Sequence, residues 1–87
     1  MNSYELRHRL HQTPELMFEE YKTTETILEA LGDFKNLKIH HPAETGLLAE
    51  YTVNKGDYIL FRADIDALPV KEETGWLYQS ENSCMHA

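Results

Sequence analysis

Basic residues are scarce in this chain. Eight Lys and Arg stand against fifteen Asp and Glu, a formal charge of −7, and Arg7, Arg9 and Arg62 are the only arginines. Neutralising a phosphate backbone needs a clustered basic face, so nucleic-acid binding is excluded as an expectation. An anionic membrane surface is disfavoured for the same reason. Long apolar runs are missing as well. The longest, Tyr58 to Phe61, falls far short of the ~20 residues that cross a bilayer. The opening Met1-Asn2-Ser3-Tyr4-Glu5 lacks the positive-then-apolar order of a secretory signal. A single cysteine, Cys84, cannot close an internal disulfide, and both features point to the cytoplasm. No glycine-rich phosphate loop and no Gly-x-Ser-x-Gly elbow occurs, which removes two common routes to phosphate and acyl chemistry.

What is present is a small globular composition: 87 residues, 41% hydrophobic and 26% charged. That length holds one small domain at most and rules out a complete two-domain enzyme. Leu6 and Leu10 lie one turn apart and predict a short helix over Ser3–Gln12, ended by Thr13-Pro14 because proline disfavours the helical conformation before it. Phe18, Tyr21, Ile27, Leu28 and Leu31 recur at three- and four-residue intervals and predict a second helix over Phe18–Leu31, with Gly32 as a left-handed cap. Beyond it, three extended runs are expected: Asn36–His41, Gly46–Val53 and Tyr58–Ala63. Turn chemistry at Asn54-Lys55-Gly56-Asp57 predicts a hairpin between the last two. Tyr58-Ile59-Leu60-Phe61 is apolar at every position and calls for cover on both faces. From Asp64 to Ala87 no period remains, only a loop or edge strand whose Trp76 and Tyr78 need a surface to pack on. The fold class is α/β.

The segment richest in chemistry is Arg62-Ala63-Asp64-Ile65-Asp66-Ala67-Leu68-Pro69. Two aspartates two apart on an extended backbone point to the same side. At the carboxyl end of an apolar strand they could orient a metal-bound imidazole or hold a hard cation. The simpler reading, which the residues alone favour, is that they bond local backbone N–H groups and pair with Arg62. His8 and His11 share a face of the first helix, where solvation accounts for them. His40 and His41 are adjacent in a strand and point to opposite faces. Cys84 and His86 have the spacing of a donor pair without further ligands. Glu15, Glu19 and Glu20 at a helix start suit the dipole and water better than paired-acid chemistry.

Two stretches resemble a known family. Arg7-His8-Arg9-Leu10-His11-Gln12-Thr13-Pro14-Glu15-Leu16-Met17-Phe18-Glu19-Glu20 resembles the opening motif of the metal-dependent N-acyl amino acid amidohydrolases, the aminoacylase and hippurate hydrolase group of metallopeptidases. Phe61 to Val70, then Glu73-Thr74-Gly75 and Met85-His86-Ala87, resembles that group's second block. The resemblance implies that residues 1–87 are the N-terminal portion of a zinc-exopeptidase-like catalytic domain: two helices and about three strands with a hairpin. In the family Met-His-Ala is followed by Cys-Gly-His-Asp, which carries metal ligands, so none is expected within this chain; Cys84 precedes that motif and His86 matches its non-ligand histidine. Asp66 matches an aspartate that orients a metal-ligand histidine. Asp64 falls where more distant relatives carry a ligand histidine, which leaves its role open. For the intact enzyme the resemblance implies Zn or Mn, an N-acyl amino acid or small peptide as substrate, and a metal-bridged hydroxide assisted by a Glu base. The chain alone is expected to be inactive and to hold no stoichiometric metal. The competing expectation is a small non-catalytic domain that covers its apolar strand by self-association or by binding a partner.

Overall fold

The computed structural model describes all of residues 1–87. Helix α1, Ser3–Gln12, begins where expected because Asn2 caps it, its side-chain oxygen accepting the Glu5 N–H at 2.9 Å. It ends at Thr13, whose N–H donates to the Leu10 carbonyl, and Pro14 follows fully buried.

Helix α2 runs over Tyr21–Leu31, three residues shorter at its start than the apolar spacing predicts. Phe18 has a φ of +67° and cannot continue a right-handed helix. Its N–H donates to the buried Glu20 carboxylate at 2.7 Å. No side chain at Glu20 caps the helix; Glu15 reaches in from the preceding loop instead. Its carboxylate accepts the Lys22 N–H at 3.2 Å, and the N–H and hydroxyl of Thr23 at 2.6 Å each. An anion on the first free amides of a helix is the favourable sign for the dipole. The expectation that these glutamates serve the helix start therefore holds for Glu15, whose partners are two backbone amides and the Thr23 hydroxyl. At the other end Gly32 stays right-handed, φ −61°, and is not the left-handed cap expected of it. It continues the last turn, donating to the carbonyls of Leu28 and Glu29.

The hairpin forms one strand earlier than the turn residues suggest. Strands β1, Leu37–His40, and β2, Leu48–Tyr51, pair antiparallel with Lys38 opposite Glu50 and Ile39 opposite Ala49. Opposite charges across the ladder and the His40–Glu50 bond of 3.0 Å favour that register. The turn side is tied to α2, where the buried Thr24 hydroxyl accepts the Gly46 N–H at 2.8 Å and donates to the Glu20 carbonyl.

Tyr58–Ala63 is not a strand. No backbone hydrogen bond joins it to a neighbour, and Tyr58, Ile59, Leu60 and Phe61 are 69, 83, 75 and 90% exposed. A segment apolar on both faces needs strands beside it and layers above and below, and the two helices pack on each other instead. The expected sheet of about three strands is therefore a two-stranded one, within the expected α/β class. The core is correspondingly thin. Ala30 and Ala67 are the buried hydrophobic residues, and the radius of gyration is 14.6 Å, against about 12 Å for a compact chain of this length.

Glu15→Ala removes three charge-assisted bonds from the start of α2 and is expected to cost about 1 to 2 kcal/mol. Urea unfolding followed by circular dichroism measures it. Thr23→Val, which deletes only the hydroxyl, costs less.

Candidate functional site

The motif stretches lie more than forty residues apart along the chain, and the fold brings them together at the α1–α2 loop. Ala67 donates its N–H to the Glu15 carbonyl at 2.8 Å, making a parallel bridge between Leu16 and Ala67. Leu68 and Met85 exchange both backbone bonds, 2.9 and 3.0 Å, as an antiparallel bridge. Glu81 donates to the Gln12 carbonyl, and the Asn82 side-chain amide to the Pro14 carbonyl at 2.9 Å. Three short stretches of extended backbone are thereby stitched side by side. Their central residue, Ala67, is 4% exposed.

Asp64 and Asp66 sit just before this junction. Asp64 accepts from Arg62 at 2.8 Å, with both side chains largely exposed; this is the pairing that the local reading of the segment anticipates. The carboxylate of Asp66 is exposed and makes no hydrogen bond within the chain. Asp64 borders a cleft of about 400 Å³ beside α1, with Arg7, His11, Ile65 and His86 also on its walls, and Asp66 lies outside it. The His86 ring nitrogen approaches the Ile65 carbonyl at 3.3 Å, and the rings of His86 and His11 are 6.1 Å apart.

His8 and His11 are not the solvated helix histidines expected from spacing. The loop after Pro69 folds back over α1 and covers them. Tyr78 stacks on His8 at 3.7 Å, while Trp76 meets His8 and His11 edge-on at 5.5 and 5.6 Å and lies under the Arg7 guanidinium. These are the partners that the aromatic residues of the tail called for. His40 is half-buried against Glu50 and His41 is exposed, in keeping with opposite faces.

Beneath the aromatics lies a group that the sequence does not single out. Glu72 keeps 2% of its side-chain surface and accepts from the Ser80 N–H at 3.0 Å and from the Thr74 hydroxyl. Its other close neighbour is the His11 ring nitrogen Nε2, at 2.6 Å. The Thr74 and Ser80 bonds outweigh burial and, with His11, hold the carboxyl below the usual glutamate range. In Lys71-Glu72-Glu73 nothing local separates the buried acid from its exposed neighbour. At Glu20 burial works to raise the carboxyl, and hydrogen bonding, with the Phe18 N–H among the donors, prevails and lowers it.

No three His, Cys, Asp or Glu side chains converge in an arrangement that could hold a metal ion. Cys84 is half-buried with its backbone N–H on Asn82, and His86 turns to the Ile65 carbonyl, so the pair does not form a donor site. The residues of this chain do not by themselves fit a dinuclear centre. No helix is long and apolar enough to cross a membrane.

No family model matches the chain. An uncharacterized hydrolase of Staphylococcus aureus (strain bovine RF122) is 45% identical over 82 residues, which is 93% of this chain and 21% of the relative. An uncharacterized hydrolase of Staphylococcus saprophyticus is 43% identical over 84 residues, 95% of this chain and 22% of the relative. The chain thus spans about a fifth of the length of these curated relatives. Among solved structures, the YXEP protein of Bacillus subtilis, described as a dinuclear metal binding peptidase from the M20 family, is 37% identical. It superposes with a TM-score of 0.86 over 95% of this chain and 24% of its own. Sequence and backbone therefore agree with the resemblance carried by the two motif stretches: this chain is similar to a part of an M20-family metal binding peptidase.

Proposed function

We propose that residues 1–87 form the N-terminal portion of a metal-dependent amidohydrolase of the M20 type, acting in the cytoplasm on the amide bond of N-acyl amino acids or small peptides. The observation that carries this reading is the superposition on the Bacillus subtilis peptidase over 95% of the chain at 37% identity. In the intact enzyme a bound divalent metal, Zn or Mn, would supply Lewis-acid chemistry at the scissile amide, held by residues other than those of this chain. Asp66 is the residue of this chain that serves that centre. Its exposed carboxylate, held beside the buried Ala67, is free to accept the N–H of a metal-ligand imidazole and fix the ring's orientation. Asp64, engaged by Arg62, is assigned no metal. The isolated chain binds no metal pair and does not turn over substrate.

Two measurements test this. The pure 87-residue chain, supplied with Zn or Mn and with hippurate or N-acetyl amino acids, gives no hydrolysis above the metal-only control; turnover would overturn the inactivity. Grafted in place of the matching part of the Bacillus subtilis peptidase, the chain yields a folded metal-binding protein. Asp66→Ala in that chimera lowers metal affinity or activity by about 10- to 100-fold, whereas Asp64→Asn changes it little.

The exposure of Tyr58–Phe61 favours a second reading, a non-catalytic module that associates through this segment. Sedimentation at several concentrations separates the two. A discrete dimer supports the module, and a monomer or open-ended aggregation supports the hydrolase portion.

A further inference from the structure

A buried carboxylate joins two pieces of this molecule that otherwise meet through aromatic rings. Glu72 lies on the loop that crosses α1 and is engaged from both sides: by the His11 ring nitrogen from the helix, and by the Thr74 hydroxyl and Ser80 N–H donors from the loop itself. Trp76 and Tyr78 occupy the span between those two loop donors and lie against Arg7, His8 and His11. Beyond Ser80 the chain is pinned again, Glu81 to the Gln12 carbonyl and Asn82 to the Pro14 carbonyl. The 71–80 segment is therefore a strap, anchored covalently at one end, stitched at the other and fastened in the middle by one acid.

We propose that Glu72 is the catch of an acid-released clasp that holds residues 71–80 on α1. The ionised carboxylate is acceptor-only and satisfies the Thr74 hydroxyl, the Ser80 N–H and His11 together. Protonation removes the charge that strengthens these contacts and obliges the Thr74 hydroxyl or the His11 ring to turn from donor to acceptor, and with 2% of the side-chain surface open water offers little compensation. The charged and titratable groups around the catch are His11 on α1, with Arg7 and His8 on its aromatic side, and His86 with Asp64 across the cleft. Lys71 and Glu73 flank it and are exposed. The lowered carboxyl sets the sign. The fastening is fully present above the ordinary carboxylate range and is lost as pH falls through the lower value that Glu72 has in the folded chain. Release also frees His11, which lines the cleft with Arg7, Asp64 and His86, so the strap governs where that imidazole stands. None of this depends on the hydrolase reading.

Trp76 is the single tryptophan, and its emission reports the strap directly. On acid titration of the full chain, emission shifts to the red in a transition that precedes loss of the helical circular dichroism. Glu72→Gln shows the released emission at every pH at which the helices persist. Thr74→Val keeps the carboxylate and deletes its leading hydrogen bond, so the transition moves to higher pH. A wild-type transition in Glu72→Gln, an unmoved midpoint in Thr74→Val, or coincident fluorescence and dichroism curves would each overturn the proposal. Should Glu72→Gln fail to fold, the Thr74→Val midpoint and the order of the two wild-type curves decide it.

Discussion

Glu15 is bonded through both of its ends, and most of the molecule hangs on that. Its side chain satisfies the first free amides of α2, while its carbonyl accepts the Ala67 N–H and starts the three-stretch junction. A helix of eleven residues is marginal alone. The same loop thus fixes where α2 begins and where the aspartate segment lies relative to it. Pro14 makes this possible. Fully buried, with no N–H to satisfy, it holds the turn while its carbonyl is left to Asn82.

Polar bonds carry this burden because apolar burial is small. Two alanines are the buried hydrophobic residues, whereas Thr23, Thr24, Glu20 and Glu72 are buried and polar. Each of the four has its partners, and no buried side-chain polar atom is left unpaired. Such an interior specifies geometry well and contributes little transfer free energy. The apolar surface that would supply more is on the outside, at Tyr58–Phe61, where the backbone is unpaired as well.

The helices and their polarity were legible from periodicity and proline, since those signals act within a turn or two. So was the resemblance, because it rests on residue identities in short stretches. The hairpin was misplaced by one strand because Asn54-Lys55-Gly56-Asp57 has turn chemistry whatever residues come after it, whereas pairing requires a neighbour that Tyr58–Ala63 does not find. His8 and His11 read as solvated because the sequence shows their helix and not the loop that returns over it sixty residues later. Glu72 was invisible for the same reason. Its difference from Glu73 lies wholly in tertiary neighbours.

That difference also bears on what a motif residue does. In the first stretch Arg9 forms a bidentate pair with Glu29, His11 meets Glu72, Pro14 is buried and Glu15 caps a helix. Each is engaged in holding the chain together. In the second stretch the backbone of Ala67 and Leu68 is bonded on both sides, yet Asp66 beside them leaves its carboxylate unspent. A rigid backbone carrying a free acid is the arrangement that an orienting role requires, since a carboxylate already committed to its own fold has no lone pair to spare for a partner's imidazole. The orienting role proposed for Asp66 thus rests on an exposed, unbonded carboxylate beside a hydrogen-bonded stretch of backbone.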